Sequence, residues 1–261
     1  MKKLLYLLLV LLSSVSAYSQ MLFSENLTMT IDSTKTLQGS LMPEIDFKTE
    51  KENIFTFKNT ANLNLLINHN RVINIINKFE LSTYGKQAIL SGGYVHMEYR
   101  YLLDHAFEVY PYVESQWAES RGMIHKISSG LQSRYRLVNT NSSLMFVALG
   151  LFFEYEKWQH PTPDANTPEH AYSRSLKTHL SLSYKLQLAK KWGLTTTAIH
   201  QGKPDSTYFK EARFGGALDL NYSITNAIGI RGAYRLIYDT APIVPIKKDY
   251  HSVEVGLTVS F

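Results

Sequence analysis

Along Leu176–Leu188 the even positions are mostly apolar: Leu176, Leu180, Leu182, Tyr184, Leu186 and Leu188. The odd ones, Lys177, His179, Ser181, Ser183, Lys185 and Gln187, are all polar. The same period of two returns in Phe214–Ile224, and again where Phe55, Phe57, Ala61, Leu63 and Leu65 oppose Thr56, Lys58, Thr60, Asn62 and Asn64. Alternation of this kind marks strands with one apolar and one wet face. Segments of this type predict about twelve strands: 36–49, 53–67, 70–84, 86–102, 105–119, 122–138, 142–158, 173–189, 191–202, 211–225, 227–239 and 250–261. Several exceed the ~5–6 residues usual in soluble sheets. A strand crossing a bilayer needs ~9–11 residues at its tilt. The pattern therefore predicts an all-β fold, a transmembrane antiparallel up-and-down β-barrel of about twelve strands.

The connections add a second signal. Every other one is tight: "NHN" at 68–70, "LDH" at 103–105, "NTN" at 139–141, "AKK" at 189–191 and "TNA" at 225–227. The intervening set includes the long polar stretches 159–172, 202–211 and 241–250. Outer-membrane barrels alternate short periplasmic turns with longer external loops in this way.

The last stretch, "YHSVEVGLTVSF", places Val253, Val255, Leu257, Val259 and Phe261 on one parity. Such a stripe at the edge of an open sheet invites aggregation. In a closed barrel the final strand pairs with the first, and every backbone group finds a partner. The same five residues are the expected signal for the barrel-assembly machinery. Pro43 and Pro111 lack a ladder donor, so a bulge or a strand end is expected at each.

If the apolar parity meets lipid, the other parity fills the interior. The candidates for lining a lumen are Lys58, Lys78, Glu80, Glu98, Arg100, Glu108, Glu114, Lys126, Arg134, Glu154, Lys177, Lys185, Asp219, Arg231 and Glu254. Asp46, Lys48, Arg136, Glu156 and Arg235 share that parity. Mixed signs predict either a self-neutralising network or a narrow aqueous passage without strong ion selectivity. Tyr99, Tyr101, Trp117, Tyr155, Trp158, Trp192, Tyr234 and Tyr238 fall near strand ends and are expected to form interfacial girdles.

Composition narrows the setting. There is no cysteine, which excludes disulfides and thiolate metal sites. "MKKLLYLLLVLLSSVSAYSQ" has two lysines, an apolar run and a small-residue end, the form of a cleaved secretory signal. Its apolar run falls short of the ~20 residues a spanning helix needs. Loss of Lys2 and Lys3 with it lowers the formal net charge from +5 to +3. That balance predicts no nucleic-acid partner. The expected organisation is a signal at 1–19, a short periplasmic segment at 20–35 and a barrel at 36–261.

Catalytic and metal chemistry find little support. "IHKISSG" brings His125, Ser128 and Ser129 close in sequence. His125 and Ser128 belong to opposite strand faces, and Ser129 lies about 13 Å from His125 by strand rise. No Asp or Asn stands ready to orient the histidine. His160, Asp164, Glu169 and His170 in the 159–172 loop have no ligand spacing tied to a turn, and a solvated loop accounts for them. No cofactor is expected.

The run "YGKQAILSGGYVHMEYRYLLDHAFEVYPYVESQWAESRGMIHKISSGLQSRYRLV", then "FVALGLFFEYEKW" and the ending "ITNAIGIRGAYRLIYDTAPIVPIKKDYHSVEVGLTVSF", resembles the YdiY-like family, domain of unknown function 481. Its members are described as salt-induced outer-membrane proteins. The resemblance implies an outer-membrane barrel with no established activity, so no catalytic residue carries over. The signal ending "AYSQ" resembles those of Bacteroidota-type bacteria. The resulting expectation is a non-enzymatic envelope component or small passive channel in the outer membrane of a Gram-negative bacterium. Its partners would be outer-membrane lipid, the barrel-assembly machinery during biogenesis, and small solutes or ions. The alternatives are a surface binding or adhesion module acting through loops 159–172 and 239–250, and a lipid-modifying enzyme.

Overall fold

The computed structural model describes residues 35–261 except 50–52, 69, 103–105 and 164–166. The expected signal and periplasmic segment lie outside these residues. Twelve strands follow one another: β1 Leu37–Thr49, β2 Asn53–Asn68, β3 Arg71–Tyr84, β4 Gln87–Leu102, β5 Phe107–Ala118, β6 Met123–Asn139, β7 Ser143–Gln159, β8 His170–Ala189, β9 Trp192–Gly202, β10 Ala212–Ser223, β11 Ile228–Asp239 and β12 Asp249–Ser260. Each pairs antiparallel with its neighbours in sequence, and β12 returns to β1 to close the barrel. Long alternating strands produce this because each sheet face has one solvent preference, and closure leaves no edge.

Boundaries follow the hydrophobic pattern closely, with one instructive departure. β8 starts at His170, because Gln159 pairs with His170 and the His160 N–H donates to the Glu169 carbonyl at 2.8 Å. The β7–β8 hairpin thus climbs into the expected loop and shortens it to 160–169. Among the connections on that end, 160–169, 203–211 and 240–248 are long, whereas 85–86 is a two-residue turn with Gly85 at φ 58°.

Neither proline ends or bulges its strand. Pro43 pairs with Asn59 of β2, and Pro111 with Leu131 of β6, both in unbroken register. The cost appears on the opposite edge of each strand. The β4–β5 ladder skips from Glu98↔Tyr112 to Tyr101↔Val109, straddling Pro111. The β1–β12 seam holds only Ser40↔Ser260 and Leu41↔Val259, with Gly39 and Phe261 exchanging backbone bonds at 3.2 and 3.1 Å. That exchange shows the odd residues of β1 aiming their backbone groups at β12, so Pro43 faces the seam with no N–H to give.

The outer wall is apolar along its length. Ile45 is 68% exposed, Leu149 57% and Val255 56%, in company with Leu131, Leu151, Phe153, Leu182, Leu218 and Leu257. Val253 is half-buried on this face, while Leu257, Val259 and Phe261 are exposed. The Phe261 ring lies over Gly39, where any Cβ would come within 2.9 Å of it. Tyr99 and Tyr101 (ring centroids 4.8 Å apart) and Trp192 with Tyr222 (4.8 Å) mark the end where β1 begins and β12 finishes. Trp117, Tyr155 and Tyr238 mark the other.

Candidate functional site

The inward positions carry ionisable side chains at a density that only mutual pairing can sustain. Glu80, Glu98, Arg100, Glu108, Glu114, Lys126, Arg134, Glu154, Lys177, Asp219 and Arg231 are buried. Lys58, Lys78, Lys185 and Glu254 are half-buried on the same inward parity. The fifteen candidates therefore share one surface, and most of them meet in three groups.

The first centres on Glu154 of β7. Lys177 of β8 donates to its Oε1 at 2.5 Å, Lys126 of β6 lies 3.1 Å from Oε2, and Arg213 of β10 donates to both oxygens at 3.0 and 3.1 Å. Arg213 also bonds Glu156 at 2.9 Å and Asp239 of β11 at 3.0 Å, so one guanidinium ties three strands together. The second group runs along the opposite end. Arg100 pairs with Glu98, Arg134 donates through Nε to Glu108 at 3.1 Å, and the Arg134 guanidinium sits 4.0 Å over the Phe146 ring. His96 bridges Glu98 and Glu114 at 3.2 and 3.1 Å. Glu114 in turn lies 4.0 Å from Lys126, which joins the two groups. In the third, Lys78 of β3 pairs with Glu254 of β12, Arg235 reaches Glu254 at 3.1 Å and Asp219 at 3.6 Å, and Arg231 pairs with Asp219.

These links cross the bore from strand to strand. A space bounded by His96, Tyr112, Glu114, Lys126, Ser128, Gln132, Phe152, His179 and Gln201 measures about 20 Å³. Another inside the β1–β12 seam, between Met42, Pro43, Lys78, Arg231, Glu254 and Val255, measures about 30 Å³. Each admits about one or two water molecules.

Above the ion pairs lies an apolar layer that the sequence did not disclose. Connection 240–248, expected to be an external loop, turns inward over the mouth of the barrel. Val244 is 2% exposed and packs with Ala118, Met123 and Trp158, while Ile246 also touches the cluster of Ile199, Ala217, Ile237 and Tyr250. Ala118 ends β5 and Met123 begins β6, which lie six strands from β11 and β12 around the barrel. The loop therefore spans the full opening. Its "APIVPI" composition explains the turn inward: Ile243, Val244 and Ile246 gain by leaving water, and each deeply buried side chain of this size contributes roughly 1.5–3 kcal/mol.

Trp158 requires a correction. It is not an interfacial anchor on the wall but a buried interior residue, 1% exposed, with its indole N–H directed at Glu156 at 3.4 Å. Its parity, shared with Glu154 and Glu156, carried the signal. Tyr155, Trp117, Trp192, Tyr234 and Tyr238 do face outward.

Two residues before Met123 sits Arg121, on the 3₁₀ turn Glu119–Arg121 that joins β5 to β6. Gly122 follows at φ 74°, a conformation that releases the chain into β6. The guanidinium reaches across the mouth to lie 4.4 Å from the centroid of the Tyr250 ring. Its Nε, Nη1 and Nη2 are buried without a hydrogen-bond partner among the described residues, and so is the Tyr250 hydroxyl. Burial pushes the Arg121 guanidinium down to about 10, with Arg213 adding to the fall.

Other candidate chemistry stays apart. Ser128 is buried in the interior, whereas Ser129 is exposed on the wall. No group of three metal-ligating side chains occurs among the described residues; His170 stacks on Tyr172 instead. Arg213, Asp239, His96 and Arg121 are the interior residues that sequence reasoning overlooked. The first three shared the polar parity of their strands and could have been found there, but Arg121 lies in a connection and had no periodic signal.

No family model matches the chain, and no curated protein matches it. Among solved structures it is similar to the translocator domain of the autotransporter NalP from Neisseria meningitidis (12% identity, 85% of this chain and 87% of that one, TM-score 0.52). It is also similar to the NanC porin (11% identity, 86% and 100%, TM-score 0.47) and to the KdgM porin (10% identity, 86% and 99%, TM-score 0.44). The fold class is that of a closed, twelve-stranded, up-and-down β-barrel, similar in fold to the NalP translocator domain. At such identities the likeness extends to fold alone.

Proposed function

We propose that this chain is a non-enzymatic outer-membrane barrel whose bore is shut at rest, a channel closed by its own β11–β12 loop and by the charge network beneath. The observation that carries this reading is the burial of Val244 against Ala118, Met123 and Trp158, half the circumference away from its own strands. The wall supports the location, since an exposed apolar surface of this extent is unfavourable in water and favourable in hydrocarbon. The amino-terminal lysines and apolar run support export, and membership of the YdiY-like family belongs to the same proposal.

A narrow bore filled by opposite charges passes small ions or solutes only when those links loosen. Deleting residues 241–247 is expected to open the outer side. In planar bilayers the intact protein should give little or no current, and the deletion should raise conductance at least tenfold. Steady open-pore current from the intact protein, unaltered by the deletion, would refute closure by this loop.

A second reading has one observation in its favour. Tyr208 and Phe209 of connection 203–211 fold over His200 on the outer wall, and Phe209 is 69% exposed. An apolar projection at that height suits contact with lipid or with another envelope component, which keeps the binding-module alternative open.

A further inference from the structure

We infer that Arg121 and Tyr250 form a receptor, roofed by the β11–β12 loop, for a carboxylate carried on an apolar or aromatic body. Arg121 presents five N–H donors, none satisfied by a described residue, in a place where its nitrogens are shielded from water. A buried charge left in that condition costs several kcal/mol, which a bound acceptor would recover. The buried interior arginines of this barrel are, by contrast, paired. Arg100, Arg134 and Arg213 all face glutamates, so the sequence readily supplies counter-charges where the fold requires them.

The surroundings specify the missing acceptor. A guanidinium fork matches the two oxygens of a carboxylate. The Tyr250 hydroxyl, also unpartnered, provides one further donor close to the same point. Tyr250 belongs to the apolar cluster on which Ile246 packs, and Met123, two residues on from Arg121, belongs to the cluster of Trp158 and Val244; such apolar neighbours suit a hydrocarbon or aromatic body better than a second charge. Glu156 and Asp239 stand within electrostatic reach of Arg121, which disfavours a multiply charged phosphate relative to a single carboxylate. The roof makes the site responsive: Ile246 of the loop packs on the cluster that contains Tyr250, so a ligand seated at Tyr250 and Arg121 bears on the loop that shuts the bore. This step deepens the closed-channel reading and rests on it for its consequence, though binding itself requires only the fold.

The test uses the full-length processed protein in detergent, with Trp117→Phe and Trp192→Phe so that Trp158 alone reports. Benzoate is expected to change Trp158 emission saturably. Benzamide, of the same shape without the charge, should bind at least tenfold more weakly, and so should inorganic phosphate. Arg121→Gln should weaken benzoate at least tenfold, and Arg121→Lys severalfold, while unheated gel migration stays that of a folded barrel. If Arg121→Gln fails to fold, the benzoate–benzamide comparison on the unaltered site decides. Equal response to benzoate and benzamide, phosphate binding as tightly as benzoate, or an Arg121→Gln barrel that binds normally would each overturn the inference. Benzoate binding in a barrel that never conducts, with or without the loop, would uphold the site and defeat the channel reading.

Discussion

Glu154 is the residue on which the interior turns, because Arg213, Lys126 and Lys177 converge on a single carboxylate from three different strands. Removing one partner of a buried pair leaves the others uncompensated, a loss of about 3–5 kcal/mol. Glu154→Gln should therefore lower the urea midpoint of the reconstituted barrel substantially. Adding Lys126→Met and Lys177→Met should restore part of the loss, since the stranded charges leave together. An unaltered midpoint in Glu154→Gln would mean the hub adds nothing to stability. Period-two parity made Glu154, Lys126 and Lys177 legible as inward residues. It could not show which charges meet, since Arg213 bonds Glu154 across 59 residues of sequence. Parity also held the answer for Trp158, but its chemical type pointed to an interfacial girdle and prevailed over its position.

At the scale of the strand, the hydrophobic pattern located all twelve elements because each strand has one wet and one apolar face and few irregular residues. What it could not supply was the edge to which each strand's backbone groups point. That property decides the prolines. Pro43 does no harm towards β2, yet it stops the β1–β12 ladder at Leu41↔Val259 and leaves the backbones beyond it unzipped. Pro43→Thr restores an N–H opposite Leu257. Each ladder bond regained contributes roughly 0.5–1.5 kcal/mol, and more in hydrocarbon, where water offers no alternative partner. The temperature at which the folded band on a denaturing gel gives way to the unfolded one should rise. If it falls, the seam is held open by something other than the absent donor.

For the molecule as a whole, wall and bore obey opposite rules, and the ion preference of the proposed channel follows from the bore. Its charges are mixed and locally matched: Glu154, Glu156 and Asp239 answer Arg213, Lys126 and Lys177, while Asp219 and Glu254 answer Arg231, Arg235 and Lys78. A passage opened by loss of residues 241–247 should then show weak ion preference, because neither sign dominates along its length. The same deletion combined with Glu154→Gln removes one negative charge from among Arg213, Lys126 and Lys177, and anions should be favoured there. Under a tenfold KCl gradient the reversal potential of the deletion alone should stay near zero, and that of the combined variant should shift to the anion side. A combined variant that remains unselective would place the conducting path away from Glu154, between other strands or through the incompletely paired seam, and the closed-bore account would have to give way to one in which ions never traverse the charge network.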